Sequence, residues 1–345
     1  MMTVVSAFAL LVLIPAFTVL YQPLLAESRR ESHRVNVSVA SASALVWTAL
    51  SLLVPGVTSS PLWLPSIAFA ALGGFLVSIP LRGWPLARGR VVGFATVWCA
   101  LVFAPVVTVV VFPTALGLDA TGGVLDLGGA LPVHVAVGAS ALAALLVLRG
   151  RPRTLDVRPT ATELALAGGV LWAAWALALV GLELAFDDVT PVILTTVVLA
   201  PVASMLGWLT VERARRHTNS LTGAVAGVVC GLVAVSAGSG FLEPVWAIAT
   251  GAIAGLVSAA VVIRTPASPH RAFVGAHLVP AAVGLVLLGL FSTGSGFIYT
   301  GQPTLAISQL MSTVAVALWS ATVSGLLWYV GIRFVRVARA RQPVA

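Results

Sequence analysis

Lysine is absent from this 345-residue chain; all 19 of its basic residues are arginine, which we read as coding bias. Charge of either sign is scarce. Only 9% of residues are charged, against about 25% in an ordinary soluble domain. That deficit excludes a soluble fold, and no stretch between the apolar segments is long enough to form a soluble domain. The two cysteines, Cys99 and Cys230, lie far apart in separate apolar stretches. They offer no disulfide or metal spacing and read as small hydrophobes. Acid/base clusters and nucleophile–base pairs are missing as well, so the residues argue against an enzyme and imply no cofactor. The formal net charge of +8 does not point to nucleic acid, because the arginines sit in short loops between apolar runs.

What is present is apolar wall: 59% of residues are hydrophobic. A membrane-spanning helix needs about 20 apolar residues. Eleven segments qualify, at about 3–25, 36–56, 61–81, 91–113, 127–148, 161–182, 188–210, 220–240, 243–263, 272–292 and 304–332. The first has neither a basic leader nor a small-residue cleavage site, so it is expected to be a helix rather than a removable signal. GAVAG (223–227) and GAIAG (251–255) place small residues four apart, the spacing of closely packed membrane helices.

The arginines test the count. Arg29, Arg30 and Arg34 follow segment one; Arg82, Arg88 and Arg90 follow segment three; Arg149, Arg151, Arg153 and Arg158 follow segment five. Arg213, Arg215 and Arg216 follow segment seven, Arg264 and Arg271 segment nine, and Arg333, Arg336, Arg339 and Arg341 segment eleven. Every second loop is basic. The others carry Asp119, Asp126, Glu183, Asp187, Asp188 and Glu243. By the positive-inside rule the N-terminus is expected outside and the C-terminus in the cytoplasm.

Two histidines interrupt the apolar runs: His134 in segment five and His277 in segment ten. Titratable groups inside a membrane segment are costly and mark functional sites. Each could instead be a packing residue bonded to a backbone carbonyl. Haem ligation fits poorly, because membrane haem usually wants paired histidines on facing helices and no other histidine is placed to hold a second group. His33, His217 and His270 lie in arginine-rich loops and are expected to be solvated.

The residues around this pair carry a resemblance. Asp126 precedes His134 by eight residues, with Gly128 and Gly129 between; a small-residue helix follows, ending at Arg149 and Arg151. His277 is followed by Gly284 and then GLF at 289–291. Gly-Trp, Leu-Xaa-Gly-Ala and Gly-Leu-Val occur in order within 207–242, QLMSTVAVALWS fills 309–320, and Pro15 and Tyr21 stand six apart. These features resemble the ammonium transporter/Rhesus family, most strongly over 126–151 and 207–320 and weakly over 36–125.

The resemblance implies an all-α polytopic fold of 11 transmembrane helices in one domain, 1–345. Two inverted five-helix repeats, about 3–150 and 160–292, would precede a peripheral eleventh helix, about 304–332, and a short cytoplasmic tail, 333–345. It implies ammonium or ammonia as substrate, a homotrimer in the plasma membrane, and His134 and His277 as a twin-histidine relay in a narrow apolar pore. Phe17, Leu20, Tyr21, Leu171, Trp175 and Phe273 would line that pore, Phe69 would be a gate, and Asp126 would shape the outer vestibule. Asp126 also reads as a helix N-cap.

Departures are visible at the outer mouth. Where the family has a cation-recruiting Trp this chain reads VVVFPT, so Phe112 or Val111 replaces it; the Phe and Ser positions are Ala178 and Leu182. Glu183, Asp187 and Asp188 lie near the same mouth. The short tail leaves regulation by a PII-type protein unsupported. Two rivals follow: a passive gas channel for ammonia or carbon dioxide, and a non-conducting ammonium sensor.

Overall fold

The computed structural model describes residues 1–25, 27–84, 86–118, 123–148, 158–263 and 269–340, with side chains described except at 269 and from 332 onward. Asp119, Arg149, Arg151, Arg153, Arg264 and Arg341 lie outside the described residues.

Low polarity in a bilayer forces every backbone amide to bond within its own segment, and helices do so. Among the described residues there are eleven long helices and no strand. They are α1 (Met2–Leu20), α2 (Arg29–Ser51), α3 (Trp63–Leu81), α4 (Arg88–Val111), α5 (Ala130–Val147) and α6 (Ala161–Leu182). There follow α7 (Val189–Arg216), α8 (Leu221–Val235), α9 (Pro244–Val262), α10 (Pro269–Phe291) and α11 (Thr304–Ala340). Nine of the described helices are long and apolar enough to cross a membrane. The other two, α2 and α8, depart from expectation for separate reasons.

Helix α2 begins at Arg29, not near 36, because Ser28 Oγ accepts the Glu31 amide at 3.3 Å and caps it there. Its first turns are therefore polar. Helix α8 stops at Val235, not near 240. The Ser236 and Ala237 carbonyls accept the Gly128 and Leu127 amides at 2.9 and 3.0 Å. At the far end, α11 continues to Ala340, so residues 333–340 are helix rather than tail.

Helix α1 packs on α6 and α3, α7 on α8 and α9, and α5 on α10 and α11. The GAIAG spacing acts as expected: Gly251 and Gly255 seat α9 against the α7 backbone at Ala200 and Ser204. Helix α11 turns its polar stripe inward, burying Gln309, Thr313, Ser320 and Ser324, while Leu310, Met311, Val314 and Leu318 are exposed. That inversion suits a helix whose outer face meets lipid, where polar groups join helices. Ser324 Oγ donates to Ser140 Oγ on α5 at 2.8 Å, and Trp98 Nε1 on α4 donates to the same oxygen at 2.8 Å. A π-turn at Cys99–Phe103 widens α4 beside this contact, and its Leu101 carbonyl accepts Trp319 Nε1 at 3.0 Å.

On the arginine-rich side, one loop arginine is not solvated. The Arg82 side chain is buried, pairs with Glu27 at 2.6 Å, and donates to Asn36 Oδ1 at 2.6 Å and the Ser32 carbonyl at 2.9 Å. Burial lowers its pKa to about 10, with Glu27 opposing that shift. The guanidinium stays charged at neutral pH and ties α2 to the end of α3.

Candidate functional site

His134 comes from α5 and His277 from α10, and the packing of these helices brings the two rings together. Gly138, one turn after His134, permits the approach. A Cβ there would overlap Leu278, the residue after His277. Gly138→Ala is therefore expected to push the two helices apart, cost about 1–3 kcal/mol by overpacking, and lower both the melting temperature in detergent and the transport rate. An unchanged melting temperature would show that the approach is less tight than it stands here.

The first turns of α5 form a π-helix, Ala130–Val135, which carries His134. Such turns are rare and often mark functional positions. Asp126 starts it: Oδ1 accepts the Ala130 amide at 2.7 Å and Oδ2 accepts the Leu131 amide at 2.8 Å. Between them Gly129 adopts φ +69°, the left-handed region open to glycine, and the Phe69 ring lies against it. The segment is held from outside too. Gln309 Nε2 donates to the Leu125 carbonyl at 2.8 Å. Asp126 thus caps the turn from four residues upstream while lining the mouth above it.

The two imidazoles lie nearly in one plane and meet edge to edge, with centroids 5.2 Å apart and planes 7° apart. Their Nδ1 atoms are 3.0 Å apart, and His277 Nε2 lies 2.9 Å from Tyr21 Oη. Both rings are buried, at 2% and 0% exposure. Trp175 stacks on His134 at 5.3 Å, its Nε1 donating to Ser236 Oγ at 2.9 Å. Phe273 lies 4.6 Å from His277, and Phe17 lies 5.6 Å from it. Tyr21 meets Phe273 edge-on at 5.0 Å. Leu171 is buried one turn before Trp175, and Leu20 is half-buried beside Tyr21.

A neutral imidazole has one donor and one acceptor nitrogen. One shared Nδ1···Nδ1 bond therefore couples the two tautomers. If His277 donates from Nδ1, its Nε2 accepts from Tyr21 and His134 carries its free proton on Nε2. If His134 donates from Nδ1, its Nε2 is a bare acceptor and His277 donates to Tyr21. One proton moving along the chain converts one arrangement into the other.

Outward of His134, toward the arginine-poor side, lies a cavity of about 230 Å³. Phe69, Val110, Val111, Asp126, Leu182 and Phe241 are among its walls. Val111, not Phe112, takes the wall position. Phe112 stands where α4 ends, and the changed backbone there (φ −123°, ψ 47°) turns its ring away to stack on Trp47 at 6.2 Å. Ser66 also borders the cavity, but its hydroxyl is engaged by Trp47 Nε1 at 2.7 Å and the Trp63 carbonyl at 2.6 Å. Glu183 accepts from the Thr190 hydroxyl at 2.7 Å beside the mouth.

Sequence reasoning missed Ser236, Gln309, Phe241 and His270. Ser236 and Gln309 fall in the stretches that carry the resemblance, but only the fold shows what they hold. His270 is buried at 1% exposure rather than solvated, because α10 starts at Pro269 and draws it beneath the end of α3. His33 and His217 are exposed, as expected. No cluster of potential metal ligands occurs among the described residues.

A family model described as Ammonium Transporter Family matches residues 62–340. The chain belongs to the ammonium transporter family. Similar members include a putative ammonium transporter of Methanothermobacter thermautotrophicus, 27% identical over 331 residues, covering 90% of this chain and 77% of that protein. An ammonium transporter of Mycobacterium tuberculosis is 30% identical over 211 residues, 58% of this chain and 44% of its own length. The Mep2 structure of Candida albicans superposes with a TM-score of 0.81 at 19% identity, covering 94% of this chain and 83% of that one. At that identity the likeness concerns the fold alone, and the shared fold is the all-α polytopic one.

Proposed function

We propose that the protein carries ammonium or ammonia across the membrane along the line from the outer cavity through His134 and His277. The observation that carries this reading is the buried hydrogen-bonded chain His134–His277–Tyr21 on facing helices. Ammonium arrives charged, and an apolar pore rejects charge. Its proton passes to His134 Nε2, the Nδ1 proton shifts to His277, and the Nε2 proton of His277 passes to Tyr21 Oη as the Tyr21 hydroxyl proton leaves to water on the arginine-rich side. Neutral ammonia follows between Phe17, Leu20, Leu171, Trp175 and Phe273. Phe69 gates the entrance, and Asp126 fixes the π-turn below it.

In this reading the arginine-rich loops face the cytoplasm of a cell whose plasma membrane the chain spans, with the N-terminus outside. The packing of α1 on α6 and of α5 on α10 supports two inverted repeats, about 3–150 and 160–292, within one domain. A homotrimer with one pore per subunit is the proposed assembly. Uptake of labelled methylammonium into proteoliposomes tests the reading: saturable uptake above empty vesicles supports it, and none contradicts it.

A second reading, a passive channel for neutral ammonia, is favoured by the mouth. Val110, Val111 and Leu182 line it where a polar cation site would stand, and the Ser66 hydroxyl is already committed. Cation–π contacts contribute about 0.5–2 kcal/mol, so Val111→Trp is expected to lower the apparent KM for methylammonium by about 2–30-fold. No change in KM would mean that recruitment at this wall does not limit transport.

A further inference from the structure

Four consecutive residues before the π-turn are tied to three different elements. The Leu125 carbonyl accepts Gln309 Nε2 of α11 at 2.8 Å. The Asp126 carboxylate accepts the Ala130 and Leu131 amides of the π-turn at 2.7 and 2.8 Å. The Leu127 and Gly128 amides donate to the Ala237 and Ser236 carbonyls beyond α8 at 3.0 and 2.9 Å. Gln309 is fully buried, and Thr313 Oγ1, one turn on, donates to its carbonyl at 2.7 Å. Its Oε1 is buried and has no partner among the described residues. A buried acceptor left unpaired costs at least as much as one neutral hydrogen bond contributes, so the amide gives the fold no net stability. Docking of α11 does not depend on it either. Further along the helix Trp319 Nε1 donates to the Leu101 carbonyl at 3.0 Å and Ser324 Oγ to Ser140 Oγ at 2.8 Å. What the amide does supply is a fixed position for the Leu125 carbonyl.

We propose that Gln309 is a positioning residue for proton transfer at His134, which makes the peripheral helix α11 part of the transport machinery. This rests on the transport reading above. Leu125 and Asp126 both line the outer cavity, and α11 packs on the π-turn that carries His134. Gln309 grips the segment at Leu125 from the α11 side, and the carbonyls beyond α8 grip it at Leu127 and Gly128 from the other. Asp126, between the two grips, has its carboxylate fixed over the Ala130 and Leu131 amides. That sets the first turn of α5, and with it the direction in which His134 presents Nδ1 to His277 and Nε2 to the incoming cation. Releasing the grip at Leu125 leaves α11 docked and lets Asp126 shift. Proton transfer is sensitive to such a shift: a displacement of about 1 Å costs on the order of 100-fold in rate. The grip beyond α8 remains, so loss of the Gln309 donor is expected to cost less, about ten-fold.

The test compares the full wild-type chain with Gln309→Met, which keeps the length of the side chain and removes the amide. Each preparation is melted in detergent, assayed in proteoliposomes for methylammonium uptake and ammonium-driven current, and examined by NMR with isotope-labelled histidine nitrogens. Gln309→Met is expected to melt at or above the wild-type temperature and to carry about ten-fold less current at saturation. Its KM for methylammonium is expected to stay within about two-fold of wild type, because an interaction that serves the transfer step lowers the rate rather than the binding. The chain has five histidines, so the signals are few, and those altered in His277→Ala identify the bonded pair. The Nδ1 signals of that pair are expected to shift in Gln309→Met. Gln309→Leu, which also lacks the donor, serves if the Met variant fails to fold. A folded variant of either kind with wild-type saturating current, or with unshifted pair signals, overturns the positioning role while leaving the transport reading intact. So does a variant that melts lower yet works at the wild-type rate per folded molecule, the mark of a bond that serves stability alone. Wild-type protein without ammonium flux overturns both.

Discussion

His277→Ala is expected to reduce ammonium-driven current by about 100-fold, the scale on which a positioned acid/base group acts, while leaving the fold intact. The ring is the middle link of the buried chain, bonded to His134 through Nδ1 and to Tyr21 through Nε2. Its removal strands two polar groups and breaks the bonds that join them. Phe17 and Phe273 flank the ring and would leave an apolar gap that a proton cannot cross. Residual flux of neutral ammonia is expected to survive, because the gap is wider than the ring it replaces. Current recordings and a size-exclusion profile of the same preparation check both halves of the expectation. Full current in a well-folded alanine variant would mean that the proton does not travel through this pair.

The second large effect is expected at Asp126. Its two oxygens accept the Ala130 and Leu131 amides, which open the π-turn. Hydrogen bonds to a charged group contribute about 1.5–3 kcal/mol each. Asp126→Ala is therefore expected to destabilise the protein by about 3 kcal/mol or more and to let His134 drift from the Trp175 face on which it stacks. Asp126→Asn retains one acceptor and should lose about half as much. Thermal melting in detergent gives the size of the effect. Equal melting of both variants with wild type would show that backbone pairing of Leu127 and Gly128 to α8 holds the turn without the carboxylate.

Much of this architecture is legible in the chain. Spanning helices declare themselves by apolar length, and the alternation of arginine loops predicts eleven of them, the number of long helices among the described residues, nine of which are long and apolar enough to span. The boundaries that shifted did so where polar bonds outcompete apolar length. Ser28 starts α2 early, and the carbonyls of Ser236 and Ala237 end α8 to meet residues 127 and 128. His134 and His277 stood out because titratable groups in apolar runs are rare. The 3.0 Å contact between them depends on Gly138 and Leu278, which no periodicity singles out.

His270 and Phe112 escaped for opposite reasons. An arginine-rich neighbourhood made His270 look like a loop residue, while tertiary packing placed it under Pro80. Phe112 sat in the right stretch, but the end of α4 rotates it onto Trp47 and leaves Val111 at the cavity. The departure at the mouth could be read from residue types; which side chain faces the opening could not.

The most direct test of the central claim is a paired recording in proteoliposomes after an ammonium pulse, with current and internal pH followed together. Proton passage along His134 and His277 with ammonia passage beside it predicts a saturable inward current in the wild type, lost in His277→Ala. Alkalinisation without current in the wild type would contradict that account and leave a passive channel for neutral ammonia.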